Sequence, residues 1–146
     1  MKQEVADVLR LDNQLCFALY AASRKVTGAY GPLLRQLDLT YTQYVTLMVL
    51  WEHQELPVKD IGEKLLLDSG TLTPLLKKLE EKGYVTRRRS TVDERVVQVQ
   101  ITQKGMDIQK NVEAFMPEMV CAIGLPMDEI VKLREELKAL IRRMEP

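Results

Sequence analysis

The chain has 146 residues, 46% apolar and 29% charged, and its 21 basic and 21 acidic side chains leave no net charge. That is the composition of one globular domain with a genuine core and room for helical extensions, and it excludes a disordered segment. Neutrality excludes a general polyanion sponge, but not a surface on which charge is segregated.

No apolar run approaches the roughly 20 residues of a membrane span. The opening Met1-Lys2-Gln3-Glu4 lacks an apolar signal segment. A cytoplasmic protein without membrane contact is expected. Two cysteines with no CxxC pair and one histidine, His53, fall short of the ligand set of a structural zinc site. No metal or cofactor is expected.

Asp12 is placed to cap a helix from Asn13 to about Ala29, whose Leu15, Leu19, Ala22 and Val26 recur at helical spacing. A short helix around Pro32–Leu37 follows Gly31. Thr40 and Gln43 stand at capping-box spacing ahead of the apolar run Tyr44–Trp51. Pro57 suits the first turn of a helix over Val58–Leu66. Asp68 or Ser69 caps another, which ends at Gly83, a natural C′ residue. Then the period changes. Tyr84–Ser90 and Arg95–Ile101 read as two strands joined by the polar loop Thr91–Glu94. Thr102 caps a long helix to about Ala122, which Gly124 and Pro126 break. The last helix, from about Met127 to Met144, carries Ile130, Leu133, Leu137, Leu140, Ile141 and Met144 close to heptad spacing, so a partner helix is implied.

Helix–turn–helix followed by a β-hairpin is a winged helix in outline. The expected fold is mainly α. A winged helix-turn-helix DNA-binding region spans 41–102, and N-terminal helices (1–40) and C-terminal helices (103–146) form a dimerisation unit. The flanking helices have more apolar face than a lone domain of this size needs, which favours a dimer. The alternative is that they fold back on their own domain.

On the helix Ser69–Lys82, Leu72, Leu75, Leu76 and Leu79 share one face. Gly70, Pro74, Lys77 and Glu81 lie opposite, flanked by Thr71, Thr73 and Lys78. Small residues permit close approach to a groove floor, hydroxyls can contact phosphates or base edges, and a helix N-terminus favours a phosphate. A plain solvated face is the competing reading. From Lys77 to Arg95 seven basic residues face four acids. Arg87, Arg88 and Arg89 lead up a strand to the hairpin tip, and Arg95 sits where the chain turns back. Arginine suits a narrow minor groove, and Asp93 can pair with Arg95 and hold its fork. Ser69, Gly70, Thr71, Thr73, Pro74, Lys77, Arg87, Arg88, Arg89, Asp93 and Arg95 are the candidate DNA-binding residues.

The run Leu72-Thr-Pro-Leu-Leu-Lys-Lys-Leu-Glu-Glu-Lys-Gly-Tyr-Val-Thr-Arg87, followed by Asp93-Glu-Arg95 and Ile101-Thr-Gln-Lys-Gly105, resembles the MarR family of winged-helix transcription regulators. The resemblance covers essentially the whole chain. It implies an obligate homodimer on a pseudo-palindromic double-stranded operator, with recognition helices in successive major grooves and wings in the flanking minor grooves. It implies a regulator rather than an enzyme.

Cys16, in the first turn of the first helix, lies where backbone N–H groups and the helix dipole favour a thiolate. Among Leu15, Phe17 and Leu19 it also fits a buried packing role. Leu11-Asp-Asn-Gln-Leu-Cys-Phe-Ala-Leu-Tyr20, with Tyr30 and Tyr41 downstream, is similar to the organic hydroperoxide resistance branch of that family. Asp68-Ser-Gly-Thr-Leu-Thr-Pro-Leu-Leu76 and Tyr41-Thr-Gln-Tyr-Val45 fit the same branch. The resemblance makes Cys16 the redox sensor for an organic hydroperoxide. Tyr30 and Tyr41 become hydroxyl donors from the partner subunit's side, and Tyr20 an accessory contact. A phenol can donate to a thiolate without adding a full charge. Cys121 places the chain in the two-cysteine kind, where the sulfenic acid formed on Cys16 condenses with Cys121 of the other subunit. Without the resemblance Cys121 is also readable as an inert cysteine beside Val120 and Ala122.

Three other functions stay open at this level. One is a regulator released by a phenolic or drug-like ligand, with incidental cysteines. Another is a thiol peroxidase turning over at Cys16, against which stands the lack of an acid–base constellation near the thiol. The third is a winged helix used only for protein contacts.

Overall fold

A computed structural model describes residues 3–146. Met1 and Lys2, the start of the opening stretch read above, lie outside the described residues. The order is α1 (Leu15–Ala29), α2 (Gly31–Gln36), α3 (Tyr41–His53), β1 (Glu55–Pro57), α4 (Val58–Leu65), α5 (Ser69–Glu81), β2 (Val85–Arg89), β3 (Val97–Ile101), α6 (Gln103–Ile123) and α7 (Met127–Met144). Among the described residues no helix is long and apolar enough to cross a membrane.

The chain divides into two compact units. One runs from Tyr30 to Ala114; the other joins the residues up to Ala29 with Phe115–Pro146. The Tyr30–Ala114 unit extends past the expected 41–102 at both ends. Apolar burial is the reason: Leu33, Leu34 and Leu39 before α3, and Ile108 and Val112 on α6, are all buried, and most join the same core.

That core is built on locally well-specified elements. At the start of α3, Gln43 N–H donates to Thr40 Oγ1 at 3.2 Å, and Thr40 N–H donates to Gln43 Oε1 at 3.1 Å. This is the reciprocal capping box, which satisfies two otherwise orphaned donors. Asp68, rather than Ser69, caps α5 and accepts from Thr71 N–H at 2.7 Å. Gly83 takes a φ of +81° behind α5, and Tyr84 N–H returns to the Leu79 carbonyl at 3.0 Å, a Schellman closure. The buried stripe of α5 is the one its spacing predicts, with Leu72, Leu75, Leu76 and Leu79 all inside.

Two local expectations are corrected. Asp12 does not cap the first helix. It lies in a short 3-10 turn, Leu11–Asn13, and α1 begins at Leu15. The cause is local competition for the backbone: the side-chain amides of Asn13 and Gln14 donate to the carbonyls of Asp7, Val8 and Arg10. The first helical bond is then Ala18 N–H to the Gln14 carbonyl. The sheet also has a third strand. Glu55–Pro57 pairs antiparallel with β3, giving the order β1-β3-β2. Three residues ending in proline carry too little pattern to read as a strand, and their edge position tolerates the missing N–H.

The start of α6 is clamped to the sheet. Thr102 Oγ1 accepts from Gly105 N–H at 3.1 Å, and its hydroxyl donates to the Gly83 carbonyl at 2.6 Å. A Cβ on Gly105 would meet the Tyr84 carbonyl oxygen and would stand 2.7 Å from Ile101 Cγ1. Gly105→Ala is therefore expected to lower stability by about 1–3 kcal/mol, as overpacking does, in urea unfolding of the reduced protein.

Candidate functional site

The outward face of α5 follows from its inward one. With the four leucines buried, Ser69, Gly70, Thr71, Thr73, Pro74 and Lys77 are all exposed. None carries a branched or bulky apolar side chain, so a duplex could approach the helix backbone closely. The carboxylate of Asp68 is held below its ordinary range by the backbone N–H and the hydroxyl of Thr71. It therefore stays charged and keeps the N-terminus of α5 wound.

The three consecutive arginines of β2 have different surroundings. Arg87 turns inward. Its N–H donates to Glu80 Oε2 at 2.9 Å and its Nη2 to Glu80 Oε1 at 3.2 Å, tying β2 to α5. Its Nε is buried without a hydrogen-bond partner. Arg88 Nη2 donates to Glu55 Oε1 at 2.9 Å, spanning the sheet from β2 to β1. Arg89 Nη1 donates to the Glu94 carbonyl at 2.9 Å across the root of the wing loop.

At the loop itself Arg95 is held as the Asp-x-Arg spacing predicts. Its Nε and Nη2 donate to the two oxygens of Asp93, each at 3.1 Å. These contacts hold the Asp93 carboxyl below its ordinary range. The loop is further pinned by Ser90 Oγ, which accepts from Val92 N–H at 3.2 Å and Asp93 N–H at 3.4 Å. The Arg95 side chain is 91% exposed. It is thus oriented yet free to meet a partner. Thr73, Arg87 and Arg95, with Pro57, Val58 and Val97, line a hollow of about 440 Å³ between α4, α5 and the wing.

The residues expected to carry thiol chemistry fall in both units. Cys16, second residue of α1, and Cys121, near the end of α6, belong to the terminal unit, and both are exposed free thiols. Neither sulfur is packed inside the single chain. Tyr20 is in the same unit; its hydroxyl accepts from Arg24 Nη1 at 3.0 Å. Tyr30 and Tyr41 belong to the other unit, where their rings lie 5.9 Å apart. Burial, then the neighbouring Tyr41, raises the Tyr30 phenol above its ordinary value. It stays protonated at neutral pH and keeps a hydrogen to donate. Among the described residues no group of three or more His, Cys, Asp or Glu could hold a metal ion.

The model of the Transcriptional regulator SarA/Rot family matches residues 29–112. The chain belongs to the SarA/Rot family of transcriptional regulators. This family member is 56% identical over 139 residues, 94% of each chain, to the organic hydroperoxide resistance transcriptional regulator of Bacillus subtilis strain 168. It is similar to AbfR of Staphylococcus epidermidis in several solved states. Reduced AbfR bound to DNA is 37% identical, with a TM-score of 0.73 over 94% of this chain and 95% of that one. Disulfide-formed AbfR is 38% identical, with a TM-score of 0.64 over 91% and 93%. The fold of this SarA/Rot member is mainly helical with a winged helix-turn-helix, as its pattern predicts.

The partners of the wing arginines are what sequence reasoning missed. No local spacing marks Glu80 or Glu55 as a partner, and only the helix-to-strand corner and the third strand bring them to Arg87 and Arg88. The Arg87 contacts hold the Glu80 carboxyl below its ordinary 4.5. A depressed native value adds stability that is complete above the unfolded value and lost as pH falls through the native one. At neutral pH Glu80→Gln is expected to cost no more than about 1 kcal/mol, since both partners are partly wet. Urea unfolding from about pH 7 down to about pH 3 should show the gap between wild type and variant closing on the acid side.

Proposed function

We propose that this protein is a homodimeric repressor that holds double-stranded operator DNA when reduced and leaves it when Cys16 is oxidised by an organic hydroperoxide. The observation that carries the reading is the exposed Cys16 in the first turn of a helix, in a chain whose other unit displays a bare α5 face and an oriented wing arginine. Dimerisation is supported by the terminal helices, where Leu15, Phe17, Val26, Val131, Leu133 and Ile141 stay exposed in the single chain.

In this reading Ser69, Gly70, Thr71, Thr73, Pro74 and Lys77 face a major groove. Arg95, set by Asp93, reaches an adjacent minor groove. Arg88 and Arg89 supply positive potential beside it, and Arg87 acts by holding β2 on α5. The Cys16 thiolate attacks the hydroperoxide O–O bond, taking one oxygen to become sulfenic acid and releasing the alcohol. Tyr30 and Tyr41 of the partner subunit donate to the sulfur, with Tyr20 beside them. Cys121 of the other subunit then attacks the sulfenic sulfur; a disulfide forms and water leaves.

Such a bond needs Cα atoms within about 7 Å. Helix α6 contributes to both compact units and carries Cys121 near its end, and in this reading drawing Cys121 toward Cys16 of the other subunit is what shifts the winged units. Half-sites are spaced by the helical repeat of DNA, and a changed spacing between the two α5 helices loses them. AbfR has been solved on DNA in an overoxidized form as well as reduced. That supports the disulfide, not oxidation as such, as the releasing event.

Non-reducing electrophoresis after one equivalent of cumene hydroperoxide is expected to show a covalent dimer in wild type and in neither Cys16→Ser nor Cys121→Ser. Both variants should keep DNA under peroxide in a mobility-shift assay; loss of DNA by Cys16→Ser would falsify the sensor assignment. Arg95→Ala is expected to weaken DNA binding by about 1–3 kcal/mol and to lower the salt dependence by roughly one released ion, measured as affinity against potassium chloride concentration.

A further inference from the structure

The chemistry above uses the hydroxyls of Tyr30 and Tyr41 and leaves a third ring unassigned. Tyr44 is the buried member of the group, 4% exposed, whereas Tyr41 is 38% exposed. The three rings close a triangle: Tyr30 to Tyr41 is 5.9 Å, Tyr30 to Tyr44 5.8 Å, and Tyr41 to Tyr44 6.1 Å. These separations are where aromatic pairs attract beyond their area burial.

The triangle has a fixed base. Tyr44 and Trp51 lie two turns apart on the same side of α3, with ring centroids 6.3 Å apart. Trp51 Nε1–H donates to the Gly105 carbonyl at 2.8 Å, at the point where the start of α6 is clamped to the sheet. A stack therefore runs from α6 through Trp51 and Tyr44 to the two outer phenols. Tyr41 projects from the first turn of α3 and Tyr30 precedes α2. Neither ring is enclosed by its own element, so each is held only as well as its neighbours hold it. Burial raises both Tyr30 and Tyr44. With the Tyr30 phenol held protonated, where the two outer rings point becomes the variable that matters.

We propose that Tyr44 is a positioning residue: its buried ring, backed by Trp51, sets the rings of Tyr30 and Tyr41 so that both hydroxyls converge on the Cys16 sulfur. The inference rests on Tyr30 and Tyr41 being the thiol-supporting phenols. It assigns the role to the ring of Tyr44 and none to its hydroxyl.

The test uses the reduced full-length homodimer. Thiol loss is followed after addition of cumene hydroperoxide, and the pH profile of Cys16 alkylation by iodoacetamide is recorded in a Cys121→Ser background. Tyr44→Leu is expected to slow peroxide reaction about tenfold, as misplacing a reacting group does, and to move the alkylation midpoint upward. Tyr44→Phe, which restores the ring, should recover most of the rate. DNA affinity of the reduced protein should stay within twofold in both. If Tyr44→Leu does not fold, Tyr44→Met fills the space without a ring and carries the same expectation. Wild-type rates in the ring-less variant, equal slowing by Phe and Leu, or slowing accompanied by lost DNA affinity would each overturn the proposal. A Tyr30→Phe/Tyr41→Phe double variant separates the two levels. If it reacts as fast as wild type, the phenol reading itself fails; if it is slow while Tyr44→Leu is fast, only the positioning role fails.

Discussion

Burial of one stripe of leucines on α5 is the constraint on which the rest depends. Leu72, Leu75, Leu76 and Leu79 fill the space between α3, α4 and the sheet, and each contributes roughly 1.5–3 kcal/mol of gross transfer free energy. Because a helix has only one rotation about its axis, seating that stripe settles what faces out. The six small or basic residues on the opposite side are presented together, with no further device needed to expose them. Asp68 at one end and the Gly83 turn at the other fix where the helix starts and stops. The axial position of the displayed face is therefore set as firmly as its rotation.

The wing shows how a neutral chain can still present a positive surface. Arg87, Arg88, Arg89 and Arg95 are chemically identical, yet each meets a different partner. Arg87 is absorbed by Glu80, and Arg88 is tethered to Glu55 across the sheet. Arg89 braces the loop root through a carbonyl, which leaves its charge uncompensated by that contact. Arg95 is held by Asp93 in a two-pronged grip while remaining open to solvent. The grip costs little to rearrange at such exposure, but it narrows the orientations from which a groove is approached. Acids near the wing are thus structural supports rather than a cancellation of its role.

The two cysteines and the bare face of α5 sit on different compact units, while Tyr30 and Tyr41 share the unit of α5 and α6 contributes to both. Nearby donors favour the thiolate form of a cysteine, and the phenols proposed to serve Cys16 come with a packed aromatic base. The base is stiff because Trp51 is hydrogen-bonded to a segment that tolerates no Cβ. Rigidity on the side of the donors and exposure on the side of the thiol suit a sensor that must react with a bulky oxidant and then be drawn toward a second sulfur.

Much of this was legible in the residues. The 3.6-residue spacing of the α5 leucines, the Thr40–Gln43 pair, the Gly83 stop, the alternation of Val97, Val99 and Ile101 and the Asp93-x-Arg95 fork are local signals, and each reports interactions within a few residues. By themselves they determine a winged helix and its outward face. The resemblance of the Cys16 and Cys121 segments to known regulators supplied the redox reading. Tertiary structure alone decided the rest. Glu80 meets Arg87 only because the chain turns a corner at Gly83, and Glu55 meets Arg88 only because three residues ending in Pro57 join the sheet. Tyr44 becomes the floor of an aromatic triangle only when α2 folds against α3. Asp12 lost its capping role to side-chain amides of its own neighbours. Patterns of period 2 or 3.6 encode which side of an element is buried. Which residue of another element waits there is a matter of long-range packing, and no short-range signal carries it.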